Sequence, residues 1–330
     1  MTRPRTRFDP YLSDPDRWGT SLAQSAEIML PCLDAAGVRT IAEVGAFAGD
    51  LTRVLVDWAA GAGARVAAID PAPQPALLAL EREHPELELI RDTSLAALPR
   101  IALPDAIVLD GDHNYWTVGE ELRLIDERAP GADMPLLLFH DACWPHGRRD
   151  DYFAPEQIPA EHRHPVAGDG GGLMPGEPGL TPGALPYPRS AAREGGPRNG
   201  VLTAVEDFVA ARPGLRLAVV PVFFGFGAVW HADAPWVDEV ARILDPLDRH
   251  PVLERLEANR VFHLARSHVR LSELCEEQQR RARQETLLRR LLESSAFAVA
   301  ERLSKLRVRA GIAPSQSVVS KDEIRRALDE

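Results

Sequence analysis

Five side chains able to hold a proton or a cation fall in two short runs, Leu109-Asp110-Gly111-Asp112-His113-x-Tyr115 and Leu137-Leu138-Phe139-His140-Asp141. A hydroxyl that is to attack an electrophile must lose its proton, either to a base such as histidine or by having its pKa lowered on a divalent cation. Both devices are available in these runs. His113 is the favoured base, since an unperturbed imidazole titrates near pH about 6.5, and Asp112 is the alternative. Asp110 and Asp141 offer the oxygen ligands that magnesium prefers. His140 as a third ligand would suit manganese, zinc or iron better, and a metal-free site with His140 as a structural hydrogen-bonder is the other arrangement open to the same residues.

A second signal lies upstream. Glu43-Val-Gly-Ala-Phe-Ala-Gly-Asp follows a strand-like run and enters the helical pattern Leu51 to Ala60. Gly45 and Gly49 let the backbone turn tightly and approach a ligand, while the helix N-terminus offers free amides. The loop is not the dinucleotide fingerprint, because Phe47 stands where that pattern needs its second glycine. The next strand-like run ends at Asp70, about 20 residues on, where an acidic side chain can accept hydrogen bonds from ribose hydroxyls.

In their order and spacing these motifs resemble the class I S-adenosylmethionine-dependent methyltransferases, and more narrowly the sugar and small-molecule O-methyltransferase branch related to macrocin O-methyltransferase and cephalosporin hydroxylase-like proteins. The resemblance runs from about Trp18 to Trp230, leaving 144–199 unmatched. It implies that Glu43, Gly45, Ala46 and Gly49 lie against the methionine half of the cofactor and that Asp70 holds the ribose. It further implies that Asp92 and Thr93 meet the adenine, although Arg91-Asp-Thr-Ser matches the family's Gly-Asp-Ser only loosely. Asp110 belongs to both the cofactor side and the metal set, with His140 and Asp141. Metal-dependent relatives carry two acidic residues where this chain has His140-Asp141, and that departure bears on which cation, magnesium or manganese among them, is used. The implied acceptor is a hydroxyl of a small molecule, a sugar or glycoside, within natural-product or glycan biosynthesis.

These residues require a scaffold that gathers strand ends. Thr40–Val44, Arg65–Ile69, Ala106–Leu109 and 135–139 are β-branched or aliphatic runs alternating with helical patterns, with Leu87–Ile90 a weaker fifth strand. That alternation predicts an α/β fold, a doubly wound and mostly parallel sheet of Rossmann-like methyltransferase type, with ligands beyond the carboxyl ends of its strands. The expected organisation is a helical segment at 1–38, a cofactor-binding core at 39–143, a lid insertion at 144–199, a last helix and hairpin at 200–232, and a helical C-terminal extension at 233–330. Ten prolines and ten glycines fall in 144–199, so regular structure is not expected there, and its His146, His162 and His164 read as solvent-exposed. Phe223-Phe224-Gly225-Phe226-Gly227 reads as strand core. From 280 to 309, nine Arg or Lys stand against three Glu, a local balance of +6. Such a run is a solvated helix face, a homodimer contact, or a surface for an anionic membrane or acidic partner.

Composition limits the function classes. Lys and Arg number 38 against 49 Asp and Glu, a net charge of −11, which disfavours non-specific nucleic-acid binding. Cys32, Cys143 and Cys275 are widely spaced, suggesting neither a disulfide framework nor a structural zinc site, and a reducing cytoplasm fits best. No run of about 20 apolar residues is present, so no membrane span is expected. The leading expectation is an enzyme transferring a methyl group to oxygen. A noncatalytic partner-binding protein with a degenerate core and a nicotinamide-dependent oxidoreductase are the alternatives, the latter weakened by the missing GxGxxG loop.

Overall fold

The structure is a computed structural model, described over residues 21–314 and 320–329; the first twenty residues of the expected N-terminal segment lie outside the described residues. The elements in chain order are α1 (Ala26–Ala35), β1 (Thr40–Val44), α2 (Asp50–Ala62), β2 (Arg65–Ile69), α3 (Pro75–Glu83), β3 (Leu87–Ile90), α4 (Ser94–Ala97), β4 (Ala106–Leu109), α5 (Tyr115–Arg128) and β5 (Leu136–Phe139). After the insertion come α6 (Val201–Ala210), β6 (Leu215–Val220), β7 (Phe226–His231), α7 (Val237–Leu244), α8 (Pro251–Glu293), α9 (Ser295–Arg309) and α10 (Lys321–Asp329).

The seven strands form one sheet in the order β3-β2-β1-β4-β5-β7-β6, parallel except for β7, which runs antiparallel to both neighbours. This is the doubly wound architecture expected from the sequence. The chain crosses from one half of the sheet to the other between β1 and β4, and a crevice opens at such a reversal outside the carboxyl ends of the strands. Residues of β4, β5 and β7 are buried throughout, as covering on both faces requires. One face packs Leu51, Leu55 and Val56 of α2 with Leu77 of α3 and Val240 of α7; the other packs Val118, Leu122 and Ile125 of α5 with Ala204 and Phe208 of α6.

Local chemistry sets the ends of the helices that carry the site. Asn114 caps α5 by accepting from the Thr117 amide, and Gly63 closes α2 in the left-handed region at φ 66°. Gly45, at φ 85°, is required for a different reason. A Cβ there would stand 2.0 Å from the Asp110 carbonyl oxygen, so only glycine lets the ends of β1 and β4 come this close.

The described residues divide into two compact units, one ending at Arg266 and the other beginning at Ser267, within α8. The first unit reaches beyond the expected start of the helical extension because Val240 and Leu244 of α7 and Val261 and Ala265 of α8 are buried in it. In the helical extension, α8 ends at Glu293 and the Ser294 hydroxyl caps α9. The aromatic run is divided as well. Phe223 and Phe224 have positive φ and form the turn before β7, which starts only at Phe226, so the expectation of strand core holds for Phe226 alone among the three phenylalanines.

Substituting Gly63, where a Cβ meets open space, tests left-handed strain alone, whereas Gly45 adds a backbone collision. Gly63→Ala is expected to cost about 1 kcal/mol. Gly45→Ala is expected to cost about 3 kcal/mol or more, measured as the larger drop in melting temperature.

Candidate active site

A cleft of about 520 Å³ opens at the carboxyl edge of the sheet. Its floor is built from β1, β2 and β4 and the loops that follow them. Glu43, Gly45, Ala46, Asp70, Thr93, Asp110, Asp112 and His113 all line it, so the fold brings most of the residues singled out from sequence into one cavity.

The glycine loop is held by hydrogen bonds to buried carboxylates. Asp70 accepts from the amides of Phe47 and Ala72, both at 2.7 Å, which fixes the loop while leaving the carboxylate on the cleft wall. Glu43 is fully enclosed and accepts from the Thr52 hydroxyl at 2.6 Å. Burial pushes its pKa up to about 8, the Thr52 hydrogen bond offsetting this only in part and Asp110 and Asp70 adding to it. A cleft wall with this many acids favours a cationic ligand, whose charge would restore the ionisation of Glu43.

Two predicted residues take other roles. Asp92 lies outside the cleft: its carboxylate is taken by Arg100 and by the Thr93 amide, and it borders a separate groove. Thr93, Ser94 and Leu95 line the cleft instead. Gly49 starts α2 at φ 85° and lies under α3, where a Cβ would meet Leu80 Cδ1 at 2.7 Å; it is a packing glycine, not part of the cleft lining.

Beside the cleft, Asp110, His113, His140 and Asp141 form a closed cluster. His113 Nε2 lies 3.2 Å from Asp110 Oδ1 and 3.4 Å from Asp141 Oδ2, and His140 Nδ1 lies 3.2 and 3.5 Å from the same two atoms. His140 Nε2 donates to the Phe223 carbonyl at 3.0 Å, and because a carbonyl only accepts, that nitrogen carries the proton and Nδ1 is turned towards the acids. Phe223 is itself pinned: its amide and that of Phe224 donate to Glu257 of α8, which Arg260 also grips through two hydrogen bonds. The turn of aromatic residues thus orients a member of the site, a function its apolar composition does not announce.

Burial opposes both charges in each pair, and the pairing decides the outcome. Burial alone would lower the His113 pKa, but the charges of Asp141 and Asp110 and the hydrogen bond to Asp110 push it up to about 10. His140 is raised against burial in the same way, to about 9. Asp110, which burial would raise, is held at about 2 by His140 and His113. His113 is therefore protonated at neutrality while both carboxylates face it, contrary to the ordinary imidazole expected from sequence. Asp112 is drawn into structure, accepting from Thr117 Oγ1 at 3.2 Å and from the Phe153 amide at 2.8 Å; burial still raises its pKa despite these bonds.

Asp110, His140 and Asp141 each present one ligand atom, all within 4.8 Å of one another, the geometry of a candidate cation site. The set is oxygen, nitrogen, oxygen, and the Phe223 bond to His140 Nε2 leaves Nδ1 as the nitrogen facing it, which would ligate a cation by giving up its proton.

The insertion contributes residues to which the sequence assigned no role. His146 is buried and stacks on His113 at 5.5 Å between ring centroids, with Tyr187 edge-on to it at 5.3 Å. Burial lowers its pKa, so it packs as a neutral ring. His162 stacks on Trp116 at the cleft wall, and Phe153 and Ile158 extend that wall. The insertion's neck is closed by Asp150, which is buried: it accepts from the amides of Tyr115 and Gly200 and from the Tyr152 hydroxyl, while its own amide donates to Asn199. Proline and glycine content gave no sign of this, because the contacts join residues about 50 positions apart.

No family model and no curated protein sequence matches the chain. Among solved structures it is similar to the S-adenosylhomocysteine-bound methyltransferase PaMTH1 of Podospora anserina, at 18% identity over 69% of this chain and 84% of that one, with a TM-score of 0.40. It is also similar to a methyltransferase from Geobacter sulfurreducens, at 12% identity over 70% of this chain and 93% of the other, with a TM-score of 0.39. An O-methyltransferase of neocarzinostatin biosynthesis matches at 16% identity over 68% of this chain and 58% of its own, with a TM-score of 0.39. At such identities the likeness concerns the arrangement of strands and helices alone.

The cluster makes stability depend on pH in a defined direction. Both histidines bind their protons more tightly in the folded chain, so their contribution is complete below the unfolded value of about 6.5. It is lost as pH rises through about 9 for His140 and about 10 for His113. In EDTA, the melting temperature is expected to fall across this window, and to fall less in His113→Gln.

Proposed function

We propose that this chain is an S-adenosylmethionine-dependent O-methyltransferase acting on a hydroxyl of a small molecule, with a divalent cation at Asp110, His140 and Asp141. The observation that carries the proposal is the convergence of the Glu43-to-Ala48 loop, Asp70 and the Asp110–His113 pair on one acid-lined cleft where the strand order reverses. That edge suits a cationic nucleoside: acids for the ammonium and sulfonium charges, and a strand-end carboxylate for the ribose.

In this assignment Gly45 and Ala46 bring backbone against the methionine half, with Glu43 supplying negative charge beneath it. Asp70 accepts from the ribose hydroxyls through lone pairs that Phe47 and Ala72 leave open. Thr93, Ser94 and Leu95 face the adenine, replacing Asp92. Bound S-adenosylmethionine supplies an electrophilic methyl group, and the cation lowers the pKa of the acceptor hydroxyl. The nitrogen among the ligands favours manganese, zinc or iron over magnesium. Once Asp110 and Asp141 are committed as ligands, His113 loses the charges that keep it protonated, and its Nε2 is placed to take the acceptor's proton. Positioning of nucleophile and methyl group in line supplies much of the acceleration.

The acceptor is assigned to the sugars and glycosides on the family resemblance. Phe47 and Phe153, 63% and 53% exposed at the cleft, together with Trp116, give flat apolar surfaces on which a ring-shaped acceptor can lie while its hydroxyls reach the polar floor.

Calorimetric titration with S-adenosylmethionine, with NAD as the comparison, is expected to show micromolar affinity for the first alone, about −8 kcal/mol. Binding of NAD instead, or of neither, sinks the proposal. Asp70→Ala is expected to weaken cofactor binding by about tenfold or more, through the lost ribose contact and the released Phe47 loop. His113→Gln should leave that affinity within about twofold and lower turnover by about a hundredfold or more. The reverse pattern would exchange the two roles.

A further inference from the structure

We infer that α9, in the C-terminal unit, is a docking surface for an anionic lipid bilayer. At 100° per residue, Ala296, Val299, Leu303, Leu306 and Ala310 fall on one stripe of this helix. Val299, Leu303 and Leu306 are 55%, 57% and 58% exposed, while Phe297, Glu301, Ser304 and Val308 on the opposite side are partly covered. One face of the helix is thus partly covered, with Glu301 accepting from the Lys321 amide of α10, and the other presents an apolar stripe.

The stripe is bordered on both sides by cations. Arg302 and Arg309 lie along one edge, with Lys305 behind them in an ion pair with Glu301, and Arg307 lies along the other. Arg280, Arg281, Arg283, Arg289 and Arg290 of α8 are exposed in the same unit. The positions 280–309 carry +6 in a chain of −11, so the rest of the sequence sums to −17. Positive charge is thus concentrated in the stretch that also exposes an amphipathic helix.

This combination selects one occupant. A second copy pairing through the same stripe would set Arg302, Arg307 and Arg309 against their counterparts, an unfavourable meeting of like charges. An acidic protein would satisfy the arginines but needs an apolar ridge matched to a smooth row of Val and Leu. An anionic bilayer meets both demands: the stripe enters the acyl boundary while long arginine stems carry their charges back to the phosphates. Over 15 residues the helix extends about 22 Å, in the plane of the surface. It is not a span; among the described residues no helix is long and apolar enough to cross a membrane.

The test is flotation of the full chain with vesicles of phosphatidylcholine alone and of equal parts phosphatidylcholine and phosphatidylglycerol, at low and raised salt. Binding to the anionic vesicles, weakened by salt, is expected. The paired variant Leu303→Glu, Leu306→Glu should lose it by about tenfold or more. Arg302→Gln, Arg307→Gln, Arg309→Gln should weaken it too, with circular dichroism and S-adenosylmethionine titration unchanged in both variants. The inference is overturned by absent or equal binding to the two vesicle types, or by full retention in the leucine variant. It is equally overturned by equal affinity for soluble polyglutamate, or by a dimer in light scattering that the leucine variant dissolves.

Discussion

Two carboxylates and two imidazoles share a few ångströms at the ends of β4 and β5, and neither pair would be stable there without the other. Burial alone would raise the Asp110 carboxyl, and burial alone would strip the protons of His113 and His140. The imidazoles hold Asp110 ionised and Asp110 keeps the imidazoles protonated, and the same atoms present a ligand set that a divalent cation could take. The surrounding contacts follow from keeping these four groups in register. Phe223 fixes one imidazole from behind, His146 covers the face of the other, and Asp112 fastens the insertion beside them.

The sheet makes this cluster useful by bringing it next to the glycine loop. β1 and β4 are neighbours although two strands and three helices separate them in the chain, and the missing side chain at Gly45 lets the Asp110 backbone lie against the loop. The same feature sets the acid-lined cleft and the carboxylate–imidazole cluster side by side, the juxtaposition on which the proposed function rests. Asp70 ties the second strand into the arrangement by accepting from the Phe47 amide on the first loop, so this side of the cleft is held by its own hydrogen bonds.

How much of this could be read from the sequence depended on the range of the interaction. The strands, the glycine loop and the strand-end acids were legible because each is a local pattern: an aliphatic run, a glycine at a turn, a polar residue where the run stops. What escaped were properties set by partners distant in the chain. Asp92 suits the cleft by position in the chain, yet Arg100, one short helix away, takes its carboxylate. His113 looked like an ordinary titrating imidazole because Asp141, 28 residues later, is invisible from its neighbourhood. Phe223 and Phe224 read as strand by composition, while Glu257 on α8 holds them as a turn. His146 sat in a stretch whose prolines and glycines concealed a folded interior.

The carboxylate at the neck of the insertion has an implication for variation. Because Asp150 joins the entry of that segment to its exit and to the start of α5, the distance the loop must close is fixed by a few hydrogen bonds and not by the fifty residues between them. Closure entropy grows only with the logarithm of loop length, so residues can be added or removed beyond the neck at little thermodynamic cost to the sheet. The insertion is in this sense a cassette: the wall it contributes to the cleft can be rewritten while the carboxylates and imidazoles at the strand ends stay in place.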